Sequence, residues 1–287
     1  MPNPYREHPS TYMVQDRDNQ EELTRLQLQD QMLTTSMGGV LPEQPDPTTF
    51  KRILDIGCGT GGWLIETAKT YPDVIQLCGV DINSKMLNYA RAQAEANQVS
   101  DRIEFHVMDA LHTLEFPIHF FDLVNMRLAQ SWIRTWEWSK VLREAQRICK
   151  PGGVIRFTEF DFAVKTNSPA LNSHYDLAIQ AFYRAGHYFT QDSDAIITHL
   201  PRLMHQYGVQ NIQTRSYTLE YRTGTPEGQF FIENMLLAYR TTEPFMKKWI
   251  RLPDDHKKSY QQALGEMQAP DFVATWQLLT AWGTNQG

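Results

Sequence analysis

From residue 51 onward the chain alternates between two patterns. Short apolar runs, RILDI, IQLCGVD, IEFHVMD, FDLVNM and VIRFTEF, are separated by longer stretches with helical spacing, such as GWLIETAKTYP, SKMLNYARAQAEAN and WSKVLREAQRICK. A strand apolar along its whole length must be covered on both faces. Strands that alternate with helices build βαβ units and a parallel sheet. The chain is therefore expected to be α/β, with a mostly parallel sheet between helical layers.

The flanks are read by the same rules. Residues 1–17 are polar and Pro-bearing. Asp18 and Glu21 resemble a capping box, and Leu23, Leu26 and Leu33 recur at roughly helical spacing, so an amphipathic helix is expected from about 19 to 36, ended by Gly38-Gly39. After residue 160, helices are expected at 169–186, 193–208, 226–250 and 254–268. NIQTRSYTLEYRT and DFVATWQLLTAW read as two late strands split by a helical insert, which brings the sheet to seven strands. The expected organisation is an arm and helix at 1–50, a core at 51–160, a helical substrate-side segment at 161–208, and late strands with their insert at 209–287.

Composition removes several function classes. The 287 residues carry a net charge of −6, whereas a nucleic-acid binder needs a basic face for phosphate contacts. No run of about 18 apolar residues occurs, so no membrane span is expected. The three cysteines form no C-x-x-C pair, which gives neither a zinc site nor a disulfide framework and suits a reducing, cytoplasmic location. No metal is expected.

Chemistry enters at ILDIGCGTGGW, residues 53–63. Gly57, Gly59 and Gly62 spell G-x-G-x-x-G, and Asp55, Gly57, Gly59 and Gly61 spell D-x-G-x-G-x-G. A glycine turn between a strand and a helix lets a ligand approach backbone and helix N-terminus closely, and either a pyrophosphate or a carboxylate suits it. Asp55 discriminates. A carboxylate beside a pyrophosphate is repelled, but beside an ammonium and a sulfonium it is favourable. Its alternative role is to cap the turn. Asp81, closing IQLCGVD, stands where an acidic residue takes ribose hydroxyls, or where it caps the next helix. Asp109, after IEFHVM, opens into the same crevice or simply forms a turn.

Taken together, LDIGCGTG, GVDIN, VMDA, FDLVNM and LREAQRICKPGGVIRF, in that order over about residues 51–160, resemble the class I S-adenosylmethionine (SAM)-dependent methyltransferases. NQEELTRLQLQDQML followed by Gly-Gly is similar to a bacterial and fungal subgroup that modifies secondary metabolites. The resemblance implies a Rossmann-like seven-stranded sheet with an N-terminal helix and helical cap insertions. It implies SAM as cofactor, S-adenosylhomocysteine as product, and a small-molecule acceptor.

By that resemblance Gly57, Gly59 and Gly61 line the methionine portion and Asp55 supports its ammonium. Asp81 takes the ribose, Ile82 packs on the adenine, and Asp109 and Ala110 meet the adenine edge. Asn125 ends the fourth strand beside the sulfonium. Candidate bases are Glu159 and Asp161, two apart at the fifth strand's end, with His174 and His187 in the following helical segment and Tyr12 in the N-terminal arm. Trp132, Trp136 and Trp138 offer stacking surfaces or core packing, with Trp132 and Trp136, four apart, expected on one helical face, and Arg127 offers an anion anchor or an ion-pair partner. The N-terminal helix is a candidate exchange element in a homo-oligomer. Two other readings compete: a NAD-dependent oxidoreductase, and a SAM-fold protein that regulates or catalyses a non-methylating reaction.

Overall fold

The computed structural model describes residues 12–14, 20–162, 164–191 and 195–287. Helix α1 (Gln20–Ser36) precedes a sheet whose parallel part comprises β1 (Arg52–Ile56), β2 (Gln76–Asp81), β3 (Ile103–Val107), β4 (Phe121–Arg127) and β5 (Cys149–Phe160). Between them lie α2 (Gly62–Thr70), α3 (Ser84–Ala96) and α4 (Trp138–Ile148). There follow β6 (Lys165–Thr166), α5 (Pro169–Ala185), α6 (Ile196–Gln206), β7 (Val209–Arg222), α7 (Pro226–Trp249), α8 (His256–Met267) and β8 (Val273–Asn285). Asp18, part of the expected capping box, lies outside the described residues.

The sheet runs β3-β2-β1-β4-β5-β8, with β7 antiparallel on the far side of β8. Two-residue β6, absent from the sequence reading, continues along β8 beyond the end of β5 and makes the count eight. Strand order reverses between β1 and β4, and in such sheets ligands bind beyond the strand ends at that switch point.

Local chemistry sets the boundaries. Ile53, Leu54 and Ile56 of β1 and Leu77, Cys78 and Val80 of β2 are buried, as strands covered on both faces require. Gly61 stands at φ +75° as the N-cap of α2. A Cβ there would lie 2.9 Å from Ala90 and Phe105, so only glycine lets α2 seat against α3 and β3. Asn83 caps α3 by accepting from the amides of Lys85 and Met86 at 2.9 and 3.3 Å. Ser168 caps α5 through the amide of Leu171, with Pro169 at the first helical position and Gly186 ending the helix in the left-handed region.

Two expectations need correction. The buried face of α1 is not the leucine stripe. Glu22, Arg25 and Gln29 are buried together with Met32 and Leu33, whereas Leu23 and Leu26 are half-buried. The helix packs against α7 and roofs a cleft with its polar residues, while Met32 and Leu33 near its C-terminal end join an apolar cluster with Phe160 and Trp276. Nor do Trp132 and Trp136 share a helical face. A 3₁₀ turn at Ala129–Ser131 precedes Trp132, Trp136 is 62 % exposed, and Trp138 opens α4 inside the core. Among the described residues no helix is long and apolar enough to cross a membrane.

Candidate active site

A cavity of about 570 Å³ runs from the β1–α2 turn, beneath α1, to a chamber walled by α5, α7 and the ends of β5 and β8. At the turn, Gly57 and Gly59 hold φ of +69° and +53°, where a side chain would be strained. A Cβ on Gly57 would also sit 3.1 Å from the Trp132 indole, so the turn and that ring close on each other. Gly57, Cys58, Gly59, Thr60 and Gly62 face the cavity. Gly61 does not, because its place is the packing of α2. A side chain at Gly62 would collide with the Asp30 carboxylate of α1. Gly62 thus belongs to the cleft, a role the motif reading did not give it.

Asp55 lies in the floor, 4 % exposed. Its Oδ1 accepts from Asn125 Nδ2 at 2.8 Å. Burial pushes its pKa up to about 7 against the pull of the nearby Arg127 charge and the Asn125 donor. Asn125 is fully buried and does not face the cavity. Its Oδ1 accepts from Arg156 Nη1 at 2.7 Å, and Arg156 Nε meets Glu43 Oε1 at 2.6 Å. The residue expected beside a sulfonium is therefore the support of Asp55 from below.

On the other side of the turn, Asp81 Oδ2 accepts from the Gly59 amide at 3.0 Å and Oδ1 from the Asn83 amide at 2.8 Å. The carboxylate both fixes the glycine turn and faces the cavity. Ile82 beside it is 50 % exposed, an apolar surface set against open space. Asp109 accepts from the Leu111 amide at 2.9 Å and meets His112 Nδ1 at 3.0 Å. Asp109 and Ala110 both line the cavity.

The roof is polar. Arg25 makes a forked pair with Glu22, both contacts at 2.7 Å, and Tyr12 donates to Glu22 Oε1 at 2.5 Å. Arg127 pairs with Asp30 of α1 and donates to Thr34 Oγ1 at 3.3 Å. Tyr12 thus folds over the cleft with its hydroxyl engaged, and Arg127 fastens β4 to the roof.

The candidate bases separate. Glu159 is fully buried and outside the cavity. Its carboxylate accepts the backbone amides of Ala129 and Gln130 at 2.7 and 3.1 Å. Burial pushes its pKa up to about 8 even though those donors pull it down. The turn it caps carries Leu128, a non-glycine residue at φ +58°, into the cavity wall. Asp161 also lies off the cavity. Phe160 and Phe162, of opposite parity along the chain, face it instead. His187 is buried against Phe182 and Phe245, with Nδ1 3.0 Å from the Ile133 carbonyl.

His174 does line the cavity. Its Nδ1 is buried without a hydrogen-bond partner among the described residues. Burial, and then the neighbouring His256, lower its pKa to about 4. Its ring stands 5.2 Å from that of Tyr239 and 5.6 Å from that of His256. Phe160, Phe162, Phe182 and Trp276 complete an aromatic wall: Phe160 meets Trp276 edge-on at 5.2 Å, and Phe162 stacks on Phe182 at 4.1 Å. The sequence reading missed Asn234, Tyr239 and Trp276. Tertiary folding brings them to the site, and no spacing advertised them.

A three-residue ligand set lies elsewhere. Cys78, Glu104 and His106 hold ligand atoms within 4.8 Å of one another on β2 and β3. Burial raises the Cys78 thiol to about 12, which opposes its ionisation.

Residues 53–153 match the family model described as a methyltransferase domain. Over 192 residues the chain is 27 % identical to a demethylmenaquinone methyltransferase of Porphyromonas gingivalis, covering 62 % of this chain and 76 % of that one. It is 33 % identical over 129 residues to a 27-O-demethylrifamycin SV methyltransferase of Amycolatopsis mediterranei, covering 45 % and 44 %. In three dimensions it resembles a Haemonchus contortus phosphoethanolamine N-methyltransferase in complex with phosphomonomethylethanolamine and S-adenosylhomocysteine. That match has a TM-score of 0.53 at 21 % identity and covers 89 % of this chain and 52 % of the other. The chain thus spans about half the length of the rifamycin and nematode enzymes.

Proposed function

We propose that the chain, whose residues 53–153 match a methyltransferase domain, is a class I SAM-dependent methyltransferase that methylates a small-molecule acceptor held in the ring-lined chamber. What supports the reading is the continuity of one cavity from the glycine turn to that chamber. The donor set fits the cofactor. Asp55, buried and short of counter-charge, suits an ammonium, Asp81 suits ribose hydroxyls, and the exposed face of Ile82 suits a purine. Asp109 and Ala110 are left for its edge. A pyrophosphate above the Asp55 carboxylate would be disfavoured, which argues against a dinucleotide.

SAM supplies an activated methyl on a sulfonium. The chain's own task is to hold the acceptor atom close and in line, and to exclude water. Phe160, Phe162 and Trp276 dry the chamber. His174 is the candidate proton acceptor, because it lines the cavity and its buried Nδ1 has no hydrogen-bond partner among the described residues. Tyr12 and Glu159 are committed to Glu22 and to the 129–130 amides, and act by shaping the cleft. A secondary-metabolite acceptor is favoured by the likeness to an enzyme named for rifamycin, and a cytoplasmic setting by the unpaired cysteines. An oligomer joined through α1 would use its outward face, because the inner face is occupied within the chain.

Calorimetry with S-adenosylhomocysteine and with NADH tests the cofactor. Binding of the first alone is expected, and binding of NADH alone would sink the reading. Label transfer from methyl-labelled SAM to metabolite extracts then tests catalysis. Tight SAM binding with no label transferred would favour a non-methylating role.

A further inference from the structure

Among the described residues of the chamber wall, His174, Asn234 and Tyr239 each hold a buried polar atom without a partner, and Asn234 leaves both a donor and an acceptor unsatisfied. Asn234 of α7 is 1 % exposed and faces the cavity, and neither its Oδ1 nor its Nδ2 has a partner among the described residues. It sits on the helix face that also presents Met235, Ala238, Tyr239 and Thr242 to the same space. A buried carboxamide left unpaired costs stability, and an apolar residue of the same size would relieve that cost. Its presence makes sense when a ligand completes its bonds.

The surroundings restrict that ligand. From Phe160 to the C-terminus, no described residue facing the cavity carries a formal charge, and His174 is neutral near pH 7. A phosphate or carboxylate finds no counter-ion there. Elsewhere in the cavity lining, Arg25 and Arg127 are paired with Glu22 and Asp30, while Arg134, between β4 and α4, and Lys140, in α4, lie outside this wall. An ammonium finds no carboxylate there, and two of the lining rings are each stacked on a neighbouring ring. Tyr239 lies on Tyr260 at 3.3 Å with planes 7° apart, and Phe162 lies on Phe182. A carboxamide offers a donor and an acceptor side by side, so its complement is an edge with the same pair.

Resting on the methyltransferase reading, we infer that Asn234 anchors a neutral, ring-bearing acceptor through a hydrogen-bond donor and acceptor placed side by side on one edge of the ring system. Asn234 is thus a specificity-determining residue. A site built to satisfy both atoms rejects analogues that leave either one unpaired.

The test uses the full chain saturated with S-adenosylhomocysteine and three bicyclic probes: 2-quinolone, which carries the paired edge, quinoline, which carries one acceptor, and 2-naphthoate, which carries a charge. Wild-type protein should bind 2-quinolone about tenfold or more tighter than quinoline, the scale of one further hydrogen bond to a desolvated group. It should bind 2-naphthoate weakest. Asn234→Leu and Asn234→Ala should each erase the preference for 2-quinolone while leaving S-adenosylhomocysteine affinity unchanged. Asn234→Leu should also raise the melting temperature of the ligand-free protein.

The inference is overturned if 2-quinolone fails to bind at millimolar concentration, if 2-naphthoate binds more tightly, or if both variants keep the preference. Any of these with S-adenosylhomocysteine affinity intact removes only the Asn234 assignment. Loss of S-adenosylhomocysteine binding in the wild type removes the methyltransferase reading itself.

Discussion

Asn125 Nδ2 donates to Asp55 Oδ1 at 2.8 Å, between the neighbouring strands β4 and β1 that meet at the switch point of the sheet. The amide's other end takes a hydrogen bond from Arg156, which is held in turn by Glu43, so four buried groups run in one line from the loop before β1 to the cavity floor. Asp55 is aimed by this line without being fully neutralised by it. Substituting Asn125→Leu removes the donor and leaves the carboxyl in an apolar pocket, which raises the Asp55 pKa further. S-adenosylhomocysteine affinity at pH 7 is expected to fall about tenfold, the scale of one hydrogen bond to a charged group. Calorimetry on wild type and Asn125→Leu checks this, and equal affinities would mean that the line has no part in binding.

The pH dependence follows from the same group. Asp55 titrates near 7, so below that pH its carboxyl is mostly protonated and offers an ammonium no charge. Affinity for S-adenosylhomocysteine should therefore fall as pH is lowered from 8 to 6. Stability of the ligand-free protein runs the other way. A carboxyl whose folded pKa is raised contributes stability that is fully present below its unfolded value and is lost as pH rises through the folded one. For Asp55 that loss builds up from the ordinary carboxylate range of about 4 and is complete near 7, and for Glu159 it is complete near 8. Thermal melts from pH 5 to 9 should show the ligand-free protein weakening toward alkaline pH, with Asp55→Asn flattening part of that slope.

Asp81 has two roles that one substitution separates. It fixes the glycine turn through the Gly59 amide and faces the cavity, where the ribose is proposed to lie. Asp81→Ala is expected to weaken S-adenosylhomocysteine binding by about 1.5–3 kcal/mol, the value of hydrogen bonds to a charged group. Asp81→Asn keeps an acceptor oxygen and should lose less. If Asp81→Ala and wild type bind alike in calorimetry, the ribose role is wrong.

Much of this was legible along the chain. Strands β1 to β5 advertise themselves through their apolar runs, and α2 and α3 are marked by Gly61 and Asn83 at their starts. Asp55, Asp81 and Asp109 were found because each sits just inside or beyond the end of a strand, where local sequence fixes position. The acceptor side was not legible. Asn234 and Trp276 come from α7 and β8, and the chamber exists only once those elements fold back over β5. Glu159 and Asp161 were expected to face the crevice, but Phe160 and Phe162 face it instead, and strand parity alone does not reveal which parity faces in. The polar inner face of α1 was equally hidden, because a helix that roofs a cofactor cleft carries Glu22, Arg25 and Gln29 where a core-packed helix carries leucines.

Glu159 illustrates a carboxylate that looks catalytic and works through the backbone. Glu159→Ala leaves two buried amides, at Ala129 and Gln130, without an acceptor and opens a small void. The cost should be about 2–4 kcal/mol in a denaturant melt. Because the turn it caps carries Leu128 and Trp132, KM for the acceptor should rise more than kcat falls. A base would show the opposite split, with kcat collapsing at unchanged KM.

The roof gives the last prediction. Glu22 is fully buried and satisfies both Arg25 and Tyr12, so Glu22→Gln leaves a buried guanidinium with half its partners and no counter-charge. Breaking a buried pair from one side costs about 3–5 kcal/mol when the charge cannot escape. Here the loss is expected to be felt first in α1 and its contact with α7. The expected result is therefore local. Amides of α1 should exchange with solvent faster, the dissociation rate of S-adenosylhomocysteine should rise by about tenfold or more, and the main thermal transition should move little. Replacing both members, Glu22→Leu with Arg25→Met, removes the stranded charge and should restore slow exchange in α1. Hydrogen exchange by mass spectrometry on the three proteins decides the matter, and unchanged α1 protection in Glu22→Gln would show that the ion pair does not hold the roof down.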